Sequence, residues 1–162
     1  MLTLPKVVKR GAKPYVAVRR DVDIPFGPEI NKALPKVDAW LAAHGLEHGP
    51  VLFRYNRIDM PRLGVEFGFV LSRKTAGDTE IVAGVLPAGR YATLTHFGHY
   101  RHLREATATL IGWAEHAGHK WDSHRDVSGE HFASRFELYP NGPADEPDSD
   151  KWETQIFIKL RD

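Results

Sequence analysis

The chain contains no cysteine, and this absence excludes several kinds of site at once. Disulfides, thiol nucleophiles and thiolate ligands for a metal are all ruled out. Residues 1–6 lack the basic segment and apolar run of a secretory signal, and no stretch is apolar for long enough to span a bilayer. We therefore expect a cytoplasmic protein with no membrane partner.

The chain also lacks an excess of charge of either sign. Its 22 Lys and Arg residues nearly balance its 21 Asp and Glu residues, which gives a formal net charge of +1. Such a balance does not predict a basic surface for nucleic acid. Residues 1–14, which precede the first predicted strand, are also too few for a helical unit that reads the major groove. We expect no direct contact with nucleic acid and no repressor activity by this chain alone.

Common catalytic and cofactor motifs are missing as well. The chain has no glycine-rich phosphate loop, no G-x-S-x-G and no H-E-x-x-H. Histidines do cluster, in two sets: His96, His99 and His102, and His116, His119 and His124. Three-residue steps at a strand-to-helix junction do not converge on one point, and no cysteine or nearby carboxylate completes a tetrahedron. We expect no metal site and no cofactor.

What is present is one pattern that occurs twice. A short apolar strand, an amphipathic helix ending near Trp and Gly, and two further strands occur over residues 5–75 and again over residues 80–162. Because each copy is too small to enclose much core, the copies should pack on each other. The seam between them is then the natural place for a ligand.

Apolar residues at three- and four-residue steps predict two helices. The helix of the second copy covers residues 99–117 and ends before Gly118, a typical left-handed C′ residue. The helix of the first copy carries its apolar stripe over residues 30–41 and ends at Gly45. Pro35 lies inside this stripe, so the helix is either kinked there or begins near Pro35, and we favour the kink.

Short apolar segments bounded by turn residues predict six strands. They are residues 15–18, 51–55, 65–71, 91–94, 136–139 and 152–160. The acidic, turn-rich residues 141–150 should form a loop, and residues 56–64 should be its counterpart in the first copy. The predicted fold class is α+β, with antiparallel sheets that carry helices on one face.

Alternation along residues 135–139 assigns the faces of one strand. Phe136 and Leu138 point to one side, which should meet a helix. Glu137 then points to the other side, together with the residues two positions before and after it. Phe157 lies on the same side as Glu137 if the last strand pairs in the expected register. Alternatively, the sheet is an ordinary two-sided one with Glu137 in solvent, and spacing alone leaves both arrangements open.

Several segments carry a resemblance to a known family. They read L-P-A-G-R-Y-A at residues 86–92, I-G-W at 111–113, F-E-L-Y-P at 136–140, D-E-P-D at 145–148 and K-W-E-T-Q-I-F-I-K-L at 151–160. In this order the chain resembles the GyrI-like small-molecule-binding family, whose domain also serves as the effector-binding part of many AraC- and MerR-type multidrug regulators. The resemblance covers almost the whole chain.

The resemblance implies one domain over residues 1–162, built from a duplicated β-α-β-β unit with pseudo-two-fold symmetry. It also implies an aromatic cleft between the units with a central glutamate, which matches Glu137. A carboxylate among aromatic faces suits flat, hydrophobic and often cationic small molecules. The expected ligand-binding residues are Glu137, Tyr139, Trp152, Phe157, Tyr55 and Phe67.

Three functions remain open from the sequence. The first is a stand-alone protein that senses or sequesters planar hydrophobic drugs. The second, implied by members of the family that open the cyclopropane of DNA-alkylating compounds, is a cofactor-independent hydrolase with Glu137 and Tyr55 as catalytic residues. The third is a protein-interaction module such as a gyrase modulator. The oligomeric state is not predicted.

Overall fold

A computed structural model describes residues 1–162. The fold is α+β: a mostly antiparallel, curled sheet in the form of a half-barrel, with two helices. Strands β1 to β10 are, in chain order, Lys6–Arg10, Lys13–Asp23, Val51–Asp59, Arg62–Val70, Val82–Leu86, Gly89–Phe97, Ser123–Asp126, Gly129–Phe132, Arg135–Tyr139 and Glu153–Lys159. Helix α1 is Gly27–Ala43, after β2, and helix α2 is Leu103–His116, after β6. Neither helix combines the length and the apolar character needed to cross a membrane.

The sheet places the middle strands of the chain at its centre. Its order is β1-β6-β10-β9-β3-β4-β2-β5, and the β7–β8 hairpin attaches to β3. β3 and β9 meet in the middle as an antiparallel pair, with Phe53 opposite Glu137. Residues from two distant parts of the chain are therefore cross-strand neighbours at the centre of the molecule.

Helix α2 forms where the periodicity predicts it, although it begins later. A 3-10 turn at Tyr100–His102 precedes Leu103, so the first residues of the predicted segment are not α-helical. Its buried stripe contains Leu110 at full burial. Gly118 adopts φ 84° just past the helix end, a left-handed conformation that costs a glycine no Cβ clash.

Helix α1 runs without a break through Pro35, so the alternative that it begins there is wrong. It begins at Gly27, and Pro28 lies in its first turn. Amide groups in the first turn have no acceptor within the helix, so the amide hydrogen that proline lacks costs no hydrogen bond there. Pro35 itself is exposed, while Val37 and Leu41 on the opposite stripe are buried.

Other predicted boundaries need correction. Residues 56–64 are not a long loop, because β3 and β4 continue as a paired ribbon and turn tightly at Met60 and Pro61. Strands β1, β5, β7 and β8 were not predicted from the sequence. Residues 141–150 do connect β9 to β10 without a strand, as predicted.

The inner face of the sheet carries a core made only by strands and the residues that flank them. Tyr15 on β2 and Tyr91 on β6 belong to one buried cluster with Leu52 and Phe136, although β2 and β6 stand far apart in the strand order. Strands so far apart meet only if the sheet curls toward this side. No helix residue contributes to this core.

The outer face of the sheet carries both helices. Val37 and Leu41 of α1 pack on β2 and β4, where Phe67 is fully buried. Leu110 of α2 packs with Leu94 of β6. Each such fully buried side chain contributes about 1.5–3 kcal/mol through the apolar area that it removes from water. Strands β9 and β3 lie between the two helix-covered parts of this face.

The sequence-based assignment of the β9 faces is wrong. Phe136 and Leu138 point to the inner core, away from both helices, and Glu137 lies on the outer, helix-bearing face. Phe157 pairs with Phe136 in the β9–β10 register, so it is also on the inner face and does not join Glu137. The reason is that a curled sheet buries both faces, so an apolar side does not reveal which side a helix covers.

Candidate functional site

The part of the outer face formed by β3 and β9, between the strands that the two helices cover, is here called the central furrow, and it carries four side chains. They are Phe53 and Tyr55 of β3 and Glu137 and Tyr139 of β9. Alternation along each strand places both members on the outer face, and the register brings Phe53 directly opposite Glu137. The pairing of β3 with β9 thus assembles side chains that are about eighty residues apart in the chain, as in the Tyr55–Glu137 contact.

Glu137 is 8% exposed and uses only one of its two carboxylate oxygens within the protein. The hydroxyl of Tyr55 donates to Oε1 at 2.5 Å, and the hydroxyl of Tyr139 donates to the same oxygen at 2.7 Å. Oε2 accepts no hydrogen bond from the protein, and it is not among the fully buried atoms without a partner. A carboxylate oxygen with unused acceptor capacity therefore faces the furrow.

Burial sets the protonation behaviour of this cluster. Removal from water raises the pKa of Glu137 above its ordinary value, although the two phenol donors and Arg135 act in the opposite direction. Burial and the neighbouring carboxylate raise the pKa of Tyr55 and of Tyr139 well above the ordinary value of a phenol. Both phenols therefore stay protonated and keep donating to Glu137.

Arg135 is the cationic group nearest to this carboxylate along β9. Its guanidinium lies over the ring of Phe132, 4.8 Å from the centroid, and forms no ion pair with Glu137. Burial lowers the pKa of Arg135, and its positive charge favours ionised Glu137 at a distance. Because that charge does not contact Oε2, Glu137 has no direct cationic partner.

A row of aromatic rings leads away from Glu137. The ring of Tyr139 lies 4.8 Å from that of Phe53 and 5.7 Å, edge-on at 90°, from that of Tyr100. Tyr100 stacks on Trp152 at 4.8 Å, and Trp152 Nε1 donates to the carbonyl oxygen of Glu146 at 2.7 Å. Offset and edge-on pairs of this kind offer both ring faces and ring edges to a flat ligand.

The structure does not bring all the predicted site residues together. Tyr55 and Tyr139 contact Glu137, whereas Trp152 reaches this cluster only through Tyr100. Phe67 shares the outer face but is 0% exposed, and it packs edge-on at 5.0 Å beneath Phe53.

Phe157 does not belong to the furrow. On the inner face it stacks on Phe136 at 5.0 Å, and the guanidinium of Arg10 lies 4.4 Å from its centroid. The expectation that it forms a wall beside Glu137 is wrong because of the strand register. The ligand-binding and catalytic roles of Glu137 and its neighbours stay predictions.

Two residues of the furrow were missed from the sequence. Phe53 precedes Tyr55 by two positions on one strand, so alternation would have placed both on one face once Tyr55 was chosen. Tyr100 lies in the 3-10 turn before α2, in a segment where the histidines drew attention. Its contact with Trp152 depends on how that turn meets the end of the loop before β10, which no local pattern reveals.

A separate groove of about 390 Å³ lies beside the start of the chain. Met1, His96, His99 and Glu105 contribute to its walls, and none of the predicted site residues does. We therefore place the candidate site in the central furrow, where the buried carboxylate and the aromatic rings meet.

Comparison with protein families gives one match. The sequence profile described as GyrI-like small molecule binding domain matches residues 4–161. A comparison with curated protein sequences gives no significant match.

Solved structures with the same fold include the C-terminal domain of EcmrR, with a TM-score of 0.79 and 22% identity over 98% of this chain and 97% of that one. In an EcmrR–DNA complex the similarity has a TM-score of 0.77 at 21% identity, and it covers 98% of this chain but only 57% of that one. SAV2435 bound to tetraphenylphosphonium has a TM-score of 0.59 at 10% identity, over 98% and 94% of the two chains. A hydrolase from Listeria innocua has a TM-score of 0.62 at 9% identity, over 97% and 91%.

Proposed function

Because the chain belongs to the family of GyrI-like small-molecule-binding domains, we propose that it binds planar, hydrophobic and often cationic compounds in the central furrow. The observation that carries this proposal is the free Oε2 of buried Glu137, which lies among aromatic rings. Glu137 is the charge partner of the ligand, and Tyr55, Tyr139 and Phe53 contact its apolar surface.

Charge explains why a cation suits this site. A buried carboxylate without a contacting cation is costly, and this cost is what raises the pKa of Glu137. A delocalised cation that enters the furrow restores a charge partner, while its own weak hydration makes it cheap to desolvate. The rings then add stacking and cation–π contacts that tolerate many ligand shapes.

The comparisons support a ligand of this class. SAV2435 was solved with tetraphenylphosphonium, a cation covered by aromatic rings, and the EcmrR domain that shares this fold belongs to a longer chain solved with DNA. In this chain we assign the domain to sensing or sequestering such compounds in the cytoplasm.

The strand order supports a duplicated β-α-β-β architecture for the site. Apart from the β7–β8 hairpin inserted after α2, each half has the same order from the centre outward: the first of the two strands after the helix, then the second, then the strand before the helix. These are β3, β4 and β2 on one side and β9, β10 and β6 on the other, with β5 and β1 added at the edges. We propose that the two halves are copies related by a pseudo-two-fold axis and that the furrow follows the seam between β3 and β9.

The test uses two ions of nearly the same shape and opposite charge, tetraphenylphosphonium and tetraphenylborate. Wild-type protein should bind the cation more tightly, and Glu137→Gln should lower affinity for the cation by about tenfold or more while leaving the anion unaffected or bound more tightly. Fluorescence titration or calorimetry measures both constants.

Glu66→Gln is the matched control, because Glu66 is also buried but lies on the inner face. This variant should keep the wild-type preference for the cation. If Glu137→Gln lost affinity equally for the two ions, or if Glu66→Gln lost as much affinity for the cation, the role of Glu137 would be contradicted.

Hydrolysis of a strained electrophile is the second candidate function. It is favoured by the pair of phenols that donate to one oxygen of Glu137, because a carboxyl with a raised pKa and an unused oxygen can act as a general base toward water. A cyclopropane-bearing alkylator incubated with the protein should then gain one water by mass spectrometry, and Glu137→Ala should abolish the gain while Tyr55→Phe slows it. Turnover that survives Glu137→Ala would exclude this mechanism.

A further inference from the structure

The β7–β8 hairpin, which contributes no residue to the central furrow, presents three potential metal ligands on one face. Its register places His124 directly opposite His131, and Asp126 lies two residues beyond His124 on the same strand. Alternation puts all three side chains on the same side of the hairpin. The cluster was not predicted from the sequence: of the histidine sets noted there only His124 belongs to it, and its partners Asp126 and His131 join it through the pairing of β7 with β8.

The distances within this cluster suit a single ion. The imidazole rings of His124 and His131 stack with centroids 4.9 Å apart and an angle of 7°. His131 Nε2 lies 3.1 Å from Asp126 Oδ1. One ligand atom from each of the three residues lies within 4.8 Å of the others, so small side-chain rotations bring all three to one ion.

The hairpin turn holds the carboxylate in place and leaves it free to bind. The backbone amide and hydroxyl of Ser128 both donate to Asp126 Oδ1, at 2.8 and 2.6 Å. Asp126 Oδ2 accepts no hydrogen bond, and the side chain of His124 forms none. His131 Nε2 is held by Asp126 Oδ1 and by the hydroxyl of Ser128, at 3.1 and 2.9 Å, and a bound ion would replace these contacts. The three side chains are therefore preorganised, with Asp126 Oδ2 and the imidazole of His124 free to bind.

The neighbouring charges leave room for a cation. Arg57, the cross-strand neighbour of His131 on β3, is paired with Asp21 at 3.3 Å. Arg125 points to the other side of the hairpin, where it pairs with Glu130 at 3.2 Å. Neither guanidinium forms an ion pair with Asp126.

We propose that His124, Asp126 and His131 bind one divalent cation of the zinc class. Two imidazole nitrogens and one carboxylate oxygen are three ligands that this ion prefers, and a water molecule completes a tetrahedron. Magnesium and calcium prefer sites built from oxygen, so they should bind poorly here. This site is independent of the function proposed for Glu137.

Untagged protein titrated with Zn²⁺ by calorimetry should bind one ion. With Co²⁺ in its place, the protein should show the visible absorption of a tetrahedral complex. His124→Ala and His131→Ala should each lower the Zn²⁺ affinity by more than tenfold, and Mg²⁺ should give no signal. All three side chains are at the surface or half-buried, so these variants should keep the circular dichroism spectrum of the wild type.

His116→Ala is the matched control, because His116 is an exposed histidine outside the cluster. It should bind Zn²⁺ like the wild type. Glu137→Gln should also bind Zn²⁺ like the wild type, because the metal site is separate from the central furrow. Wild-type affinity in His131→Ala, or a loss in His116→Ala as large as that in His124→Ala, would overturn the proposal.

Discussion

The protein buries two glutamates, Glu66 and Glu137, and they are held in different ways. Glu66 is 1% exposed on the inner face, and both of its oxygens accept hydrogen bonds. Tyr15 donates to Oε2 at 2.7 Å, Asn56 donates to Oε1 at 2.5 Å, and Arg19 approaches the same oxygen at 3.3 Å. Glu137, on the outer face, receives two phenols on one oxygen and nothing on the other.

This difference separates a structural carboxylate from one that is available to a ligand. The Glu66 network continues through the Tyr15 hydroxyl, which accepts from Arg54 at 2.8 Å, so both oxygens of Glu66 are engaged within the protein. In the Glu137 cluster, Oε2 accepts no hydrogen bond and no cationic side chain contacts it. Burial is common to both groups, so burial alone does not distinguish them, and the proposal for Glu137 rests on its unused acceptor among aromatic rings.

The largest expected contrast is in stability after the same substitution at the two positions. In Glu66→Gln one carboxylate oxygen becomes an amide nitrogen, which must then face either the Tyr15 hydroxyl or the amide of Asn56. One buried hydrogen bond is lost, so the free energy of unfolding should fall by about 1–3 kcal/mol. Urea denaturation of both proteins measures the change. An unchanged midpoint would mean that the network is not holding the inner face together.

The next contrast is in how ligand binding responds to pH. Because burial raises the pKa of Glu137, its carboxyl takes up a proton above the ordinary range of a carboxyl as the pH is lowered. Affinity for tetraphenylphosphonium should therefore fall across that range, by about tenfold or more at full protonation.

The other ionisable groups around Glu137 do not change this expected pH dependence. Tyr55 and Tyr139 have pKa values raised well above the ordinary phenol, so they remain neutral, and Arg135 remains charged across this range. Glu137→Gln should show a flat profile over the same pH range, and Glu66→Gln should keep the wild-type profile. A slope that persists in Glu137→Gln would assign the titration to another group.

Much of the fold could be predicted from the sequence because local patterns encode it. The spacing of Leu103 and Leu110 and the glycine at position 118 located α2, and the family resemblance led to Glu137. The faces of β9 could not be predicted, because alternation tells which residues share a side but not which side a helix covers. Both sides of β9 are buried, Phe136 by the curl of the sheet and Glu137 between the helices.

The missed strands share a different cause. β1 is short, half-exposed and rich in lysine, and β7 carries polar residues throughout, so neither shows an apolar alternation. Their pairing is decided by distant partners, β6 for β1 and β8 for β7. The cluster of His124 with His131 follows from that pairing and was therefore invisible in the sequence.

The smallest expected contrast is the stability of Glu137→Gln, and its sign is opposite to that of Glu66→Gln. The amide oxygen can still accept from Tyr55 and Tyr139, and the new amide nitrogen takes the place of Oε2, which accepts nothing. The folded protein holds a proton on Glu137 at pH values where the unfolded chain has lost it, so wild-type stability falls as the pH rises through this window. Above the window the ionised, buried carboxylate carries its full penalty, which glutamine removes. The variant should therefore be more stable above this window, by on the order of 1 kcal/mol or less, and the gain should vanish when the pH falls below the ordinary carboxyl range. Thermal unfolding of both proteins across pH measures this gain, and a variant that is less stable than the wild type at every pH would show that the charge of Glu137 is already compensated without a ligand.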